Sequence, residues 1–268
     1  MRILVLVIAS HNKPEYLQME QLWLATAPSR APSVPLSRQM PSWCDVWLVH
    51  SKPAGQWIGD LVNDSIVDPD NVEVDISRRT IYIKQDECLI PGILAKTVKA
   101  LEYFQGQGLY DFVWRTNLSS VLDFHGLLEF CKGIPSSGFY GGYIGQYQHS
   151  ANIKERARGV SASHREGREN HGFSRFASGA GFLMSADVVE YLVLNPALLR
   201  WDLIDDVAIG ILLEPVFGLV HIERQWIQSL DSNIIGSVFH YRCESYMHYN
   251  TVAYMQKVID ALLSQNTV

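Results

Sequence analysis

The chain opens on an unbroken apolar run, Ile3 to Ala9, rich in Ile, Val and Leu. A run without alternation suits a strand covered on both faces, the habit of parallel sheets. Asn12 then stands three residues before Glu15, and Pro14 falls in a first helical turn. Both are helix-start signals. Tyr16, Met19, Trp23 and Ala27 recur at helical spacing, so the chain begins strand, loop, helix. Residues 28–42 carry Pro28, Pro32, Pro35 and Pro41 among serines and predict a loop. Trp43 to His50 predicts a second strand, and Val72 to Ile76 and Thr80 to Lys84 two short ones. Pro91 opens a predicted helix through Leu94, Val98, Leu101 and Phe104, which Gly106 and Gly108 end.

The second half continues the alternation. Asp111 to Arg115 predicts a strand, Thr116 to Ser120 a polar turn, 123–132 a helix, and Phe139 to Gly145 a glycine-rich strand. Residues 146–175 break the pattern: Lys154, Arg156, Arg158, Arg165, Arg168 and Arg175 gather there with few large apolar groups. A long mobile loop over 146–175 is expected, and such loops are usually functional or disordered. Order resumes at Phe176. Ser185 or Asp187 begins a helix through Leu194, and Asp205 caps another from Asp206 to Leu213. Val216 to Ile222 and Val238 to Tyr241 read as strands, and Thr251 to Leu263 as a closing amphipathic helix. Strands alternating with helices predict an α/β fold: a single domain over residues 1–268, its mostly parallel central sheet flanked by helices.

Composition narrows this little. The 268 residues are 47% hydrophobic and 19% charged, which suits a globular chain with a sizeable core. The net charge of −6 gives no global basic signal for nucleic acid. Cys44, Cys88, Cys131 and Cys243 are scattered and form no CxxC pair, so reduced core cysteines are expected rather than a zinc site or a disulfide framework. No apolar run reaches the roughly 20 residues of a membrane helix. The N-terminal run is followed by His11-Asn12-Lys13-Pro14 and no small-residue cleavage site, so it reads as a buried strand. A cytoplasmic location is expected.

Several chemistries drop out early. The first strand leads into Ser10-His11-Asn12 with no GxGxxG, and neither a Walker sequence nor a GxSxG elbow occurs. Two features remain. In Phe176-Ala177-Ser178-Gly179-Ala180-Gly181-Phe182, small residues let the backbone pass close to something bulky. About twenty residues on, Asp205-Asp206 opens a predicted helix. Adjacent carboxylates at a helix start usually cap it. They point about 100° apart, so they cannot flank a glycosidic bond as a hydrolase pair does.

Taken in order, Phe112-Val113-Trp114-Arg115-Thr116-Asn117-Leu118-Ser119-Ser120, then Ser178-Gly179-Ala180-Gly181-Phe182-Leu183-Met184-Ser185, then Asp205-Asp206-Val207-Ala208-Ile209-Gly210 resemble the β-1,3-galactosyltransferase and fringe family. Pro91-Gly92-Ile93-Leu94-Ala95-Lys96-Thr97 is similar to the family's helix before the metal-motif strand. The resemblance covers roughly residues 2–222. It implies a GT-A (nucleotide-diphospho-sugar transferase) fold and an inverting transfer of sugar from a nucleotide-sugar, a UDP-sugar first among them, to a hydroxyl of a glycan or other acceptor. It implies Asp206 as catalytic base, with Asp205 capping the helix or orienting the acceptor. The first strand's end, Ala9-Ser10-His11, would hold the nucleotide, since ligands sit at carboxyl ends of strands in open α/β sheets.

One departure changes the chemistry. Where the family has an Asp-Asp-Asp metal motif, this chain has Asn117-Leu118-Ser119. Hard cations prefer charged oxygens, so Mn²⁺ or Mg²⁺ would find only a neutral carbonyl and a hydroxyl, and no tightly held metal is expected. The diphosphate still needs positive charge. Arg115, Lys96, His240, Arg242 and the basic loop are the candidates, and Asn117, Ser119, Gly179 and Ala180 complete the expected donor site. The missing acidic motif also leaves open a non-catalytic nucleotide-sugar or glycan-binding protein.

Overall fold

The opening run forms β1 (Ile3–Ile8), and its residues feed two cores by turns. Leu4, Leu6 and Ile8 pack on one side of the sheet, and Ile3, Val5 and Val7 on the other. Side chains alternate across a strand, so a strand covered on both faces must be apolar at every position. The computed structural model describes residues 1–10, 13–26, 43–52, 65–68, 72–148, 173–244 and 250–265.

In chain order the elements are α1 (Pro14–Thr26), β2 (Cys44–Lys52), β3 (Ser65–Asp68), β4 (Val72–Asp75), β5 (Thr80–Lys84) and α2 (Gly92–Gln105). Then come β6 (Phe112–Asn117), β7 (Ser120–Leu122), α3 (Phe124–Lys132), β8 (Tyr140–Gln148) and β9 (Phe173–Ser185). The chain closes with α4 (Ala186–Leu194), α5 (Asp205–Phe217), β10 (Val220–His221), β11 (Gln225–Ile227), β12 (His240–Cys243) and α6 (Thr251–Gln265).

These form a mixed α/β architecture with a large central sheet flanked by helices. The nine strands run β10-β8-β9-β6-β1-β2-β5-β4-β3. Pairing is parallel through β6-β1-β2-β5 and between β10 and β8; elsewhere in this sheet it is antiparallel. The parallel pairing expected of most of the sheet belongs to its centre and to β10 with β8. The 13-residue β9 enters antiparallel between β6 and β8, and β3–β4–β5 form a meander at the other edge. Helices α2, α4 and α5 cover one face, where Leu94, Val98, Leu101, Val188, Leu192 and Ile209 join the core. The other face is covered by Met19 and Trp23 of α1, Leu127 of α3, Val258 of α6, and a small sheet of order β11-β12-β7. Burying each such side chain contributes about 1.5–3 kcal/mol.

Several boundaries differ from the expectation. The two ends of the loop expected over 146–175 are strand instead, because Gln146, Tyr147 and Gln148 pair with Arg175, Ser174 and Phe173. Residues 149–172 lie outside the described residues, as does the proline-rich 28–42 stretch. The turn expected over 116–120 shrinks, since β6 runs on to Asn117 and β7 begins at Ser120. The strand expected from Val216 is instead the last turn of α5, which continues through Pro215 and ends at Gly218 with φ 73°. Only Val220–His221 of that stretch is extended. Cys44, Cys131 and Cys243 are free and buried, as expected, whereas Cys88 is free and exposed.

Candidate active site

The carboxyl ends of β1 and β6, the middle of β9, the start of α5 and the face of the small sheet converge on one cleft of about 390 Å³. That volume falls in the range of small-molecule sites. Ala9, Ser10, Lys96, Arg115, Asn117, Ser119, Gly179, Ala180, Asp205, Asp206 and Arg242 all line it. His11 lies outside the described residues.

The floor is a network of ion pairs and hydrogen bonds. Arg115, on β6, reaches across to α5, where its Nη2 pairs with Asp205 Oδ2 and its Nη1 donates to the Gly179 carbonyl. Both partners of the ion pair are about 3% exposed, and Thr97 Oγ1 also donates to Asp205 Oδ2 at 3.2 Å. Asp205 is therefore not the expected cap: the residue before the helix is Ile204, and Asp205 is the first helical residue, turned inward. Lys96, on α2, donates to the Ala9 carbonyl at 2.8 Å and pairs with Glu87 at 2.7 Å. Burial pulls its ammonium below the ordinary lysine range. These contacts tie α2, β1, β6, β9 and α5 together beneath the cleft.

Asp206 stands one residue on and is half-buried at the wall. Its Oδ2 accepts from the Gly179 N–H at 2.7 Å and its Oδ1 from the Val207 N–H at 2.9 Å. Among the described residues it forms no ion pair. Withdrawal from water, with the charge of Asp205 beside it, pushes its carboxyl up to about 6. Gly179 is small by necessity: a Cβ there would sit 2.9 Å from Arg115 Nη1 and 3.1 Å from Asp206 Oδ2.

At the other end, Asn117 Oδ1 accepts from Arg242 Nη1 at 2.6 Å and from Ser120 Oγ at 3.1 Å. The same Arg242 Nη1 donates to Ser119 Oγ, and Nη2 pairs with Glu244 at 3.3 Å. The two oxygens that replace the acidic motif are thus already hydrogen-bonded to a guanidinium. A divalent cation would find neutral donors facing a fixed positive charge, so this donor set does not fit one. Among the described residues no group of three His, Cys, Asp or Glu side chains is placed to hold a metal.

His240 does not reach the cleft. It is 1% exposed, lies edge-on to Trp114 with ring centroids 5.2 Å apart, and sits under Gly181, whose added Cβ would be 2.7 Å from its Cε1. Burial pushes its pKa down to about 3, so the ring is neutral. The sequence reading missed Arg224 and Trp226, which line the cleft from β11 and the residue before it. Their one sequence signal is the two-residue spacing that puts both on one face of a strand.

Neither a protein-family model nor a curated protein matches the chain. Among solved structures it is similar to the galactosyltransferase LgtC in complex with donor and acceptor sugar analogues: 8% identity, TM-score 0.41, covering 97% of this chain and 96% of that one. It is also similar to HddC from Yersinia pseudotuberculosis: 11% identity, TM-score 0.41, covering 96% and 99%. Likenesses at these values do not assign the chain to a family.

Proposed function

We propose that the chain is an inverting glycosyltransferase of GT-A fold, acting as one domain, that moves a sugar from a nucleotide-sugar to a hydroxyl of a glycan or other acceptor. A UDP-sugar is the first donor to test. The reading rests on one observation above the others: Asp206 is a cleft carboxylate held by two backbone N–H groups, without an ion-pair partner among the described residues, and with its pKa raised to about 6. A base is most effective when its pKa lies near the working pH.

In the proposed reaction the acceptor oxygen attacks the anomeric carbon from the face opposite the nucleotide. Its proton passes to an Asp206 carboxylate oxygen. The bond from the anomeric carbon to the diphosphate breaks, and the diphosphate oxygen keeps the electron pair. Asp205 and Arg115 are positioning residues: their ion pair fixes the start of α5 and the Gly179 carbonyl, and so the aim of Asp206. Ala9 and Ser10, at the end of β1, would meet the nucleotide, with Asn117, Ser119 and Arg242 beyond them toward its phosphates.

A thermal-shift screen of UDP-, GDP- and dTDP-sugars, with and without Mn²⁺, tests the reading. One nucleotide class is expected to raise the unfolding midpoint, to the same extent whether or not Mn²⁺ is added. No shift with any of them would remove the donor reading, and a shift seen only with Mn²⁺ would restore a cation to the site.

A further inference from the structure

The cations around the cleft are not equally committed. Lys96 is held by Glu87 and the Ala9 carbonyl, Arg115 by Asp205 and the Gly179 carbonyl, and Arg242 by Asn117, Ser119 and Glu244. Arg224 differs. It is 8% exposed, yet among the described residues it forms no ion pair. Its Nη1 donates to Ser178 Oγ at 2.9 Å, and its Nε, like that of Arg115, is buried without a partner, but Arg224 has no carboxylate at ion-pair distance among the described residues. An unpaired buried N–H costs free energy, and an unpaired buried cation costs more.

The surroundings hold this guanidinium in place. Its Cζ lies 4.2 Å from the ring centroid of Tyr143 and 4.6 Å from that of Trp226. Aromatic faces take the flat side of a guanidinium and leave its N–H edge for hydrogen bonding. Trp226 pairs in register with Arg242, so the two side chains share one face of the small sheet. Arg224 stands two residues before Trp226, and all three line the cleft. Arg224 and Arg242 are close enough to repel: burial first, and then the Arg242 charge, lower the Arg224 pKa to about 10. Glu244 and Asp206 act on Arg224 in the opposite sense, but among the described residues neither is at ion-pair distance from it, so the pair is open to an anion.

We propose that Arg224, with Arg242 beside it, is a receptor for a phosphate-type oxyanion brought into the cleft by the donor or by the acceptor. The proposal deepens the nucleotide-sugar reading and rests on it. Arg224 supplies the free N–H edge, Ser178 and the two rings fix its direction, and Arg242 adds a second positive charge. The anion is either the diphosphate of a nucleotide-sugar or a phosphate on a sugar acceptor.

Calorimetric titration of inorganic pyrophosphate and of glucose 6-phosphate into the wild-type chain and Arg224→Met tests this. The wild type is expected to bind at least one of them, and Arg224→Met to weaken that binding by about tenfold or more, the range for hydrogen bonds to charged groups. Loss on pyrophosphate assigns the site to the donor; loss on glucose 6-phosphate assigns it to the acceptor. Arg224→Lys keeps the charge without the fork and serves if the methionine variant does not fold; a loss of about threefold or more is expected there. Unchanged affinity in the folded variants, or no binding of either probe by the wild type, overturns the proposal. A nucleotide-sugar that still shifts the unfolding midpoint in that case leaves the transferase reading standing. The absence of any such shift, with Arg224-dependent pyrophosphate binding retained, removes that reading and leaves the receptor.

Discussion

On the cleft floor, Asp205 is buried against Arg115 and Thr97, and every charge there has its counter-charge. On the wall one residue later, Asp206 accepts from two backbone N–H groups, forms no ion pair among the described residues, and keeps a carboxylate whose pKa is raised to about 6. The two side chains share a helix turn and an identity, and their surroundings set them apart. An ion pair in a dry place fixes geometry, and removing one partner strands the other. A carboxylate poorly compensated at the edge of the same place is a proton acceptor near neutral pH.

Substitutions at the two positions test this contrast. The largest expected effect is on turnover: Asp206→Asn should lower the transfer rate about 10²–10⁴-fold, with donor affinity by calorimetry within about twofold, because the lost group acts on the acceptor proton. Rates close to wild type would move the base elsewhere. Next comes stability. Asp205→Asn leaves the Arg115 guanidinium buried without its charge partner and should cost about 3–5 kcal/mol in urea unfolding. A loss as small as that of a surface substitution would mean that the floor is not held by this pair.

The smallest effect, and the one that separates the two sites, is the stability of Asp206→Asn. The Asp206 pKa is about 6 in the fold and about 3.9 in an unfolded chain. Between those values the folded state binds more protons than the unfolded one, so its stability falls as pH rises and stays lower above pH 6. The asparagine variant escapes that loss. Its amide can accept from only one of the Gly179 and Val207 N–H groups, so some stability is lost at every pH. What the variant should lack is the fall in urea midpoint between about pH 4 and 6, and an unchanged fall there would mean that Asp206 is not the titrating group.

Much of the fold was legible in the apolar pattern, and much of the site was not. β1, β5, α2, α3 and α4 fall within a residue or two of where periodicity, Pro91 and the glycines put them. β7 and β11 escaped, since three residues carry no readable alternation. Asp205-Asp206 was visible as a pair, but spacing alone made Asp205 a cap. Its inward turn depends on Arg115, 90 positions away in sequence, which the pairing of β6 with β9 and the packing of α5 on β9 bring near. The same holds for Arg242 on Asn117 and Ser119, at the end of β6 and just before β7, which the pairing of β12 with β7 brings near. The sequence also offered Arg115 and Lys96 as phosphate ligands. Both are cleft residues, but their charge is already spent on Asp205 and Glu87, while the uncommitted Arg224 stands in a stretch with no motif.

The central claim, that Asp206 takes the acceptor proton, is tested most directly by the pH dependence of kcat/KM, which reports ionisations of the free enzyme. With the donor identified by thermal shift, the wild type should lose activity on acidification along a limb with an apparent pKa of about 6, set by Asp206 in its partly dehydrated wall position. The residual rate of Asp206→Asn should lack that limb. A wild-type rate that stays flat as pH falls through 6, or an unchanged limb in the asparagine variant, would contradict the assignment.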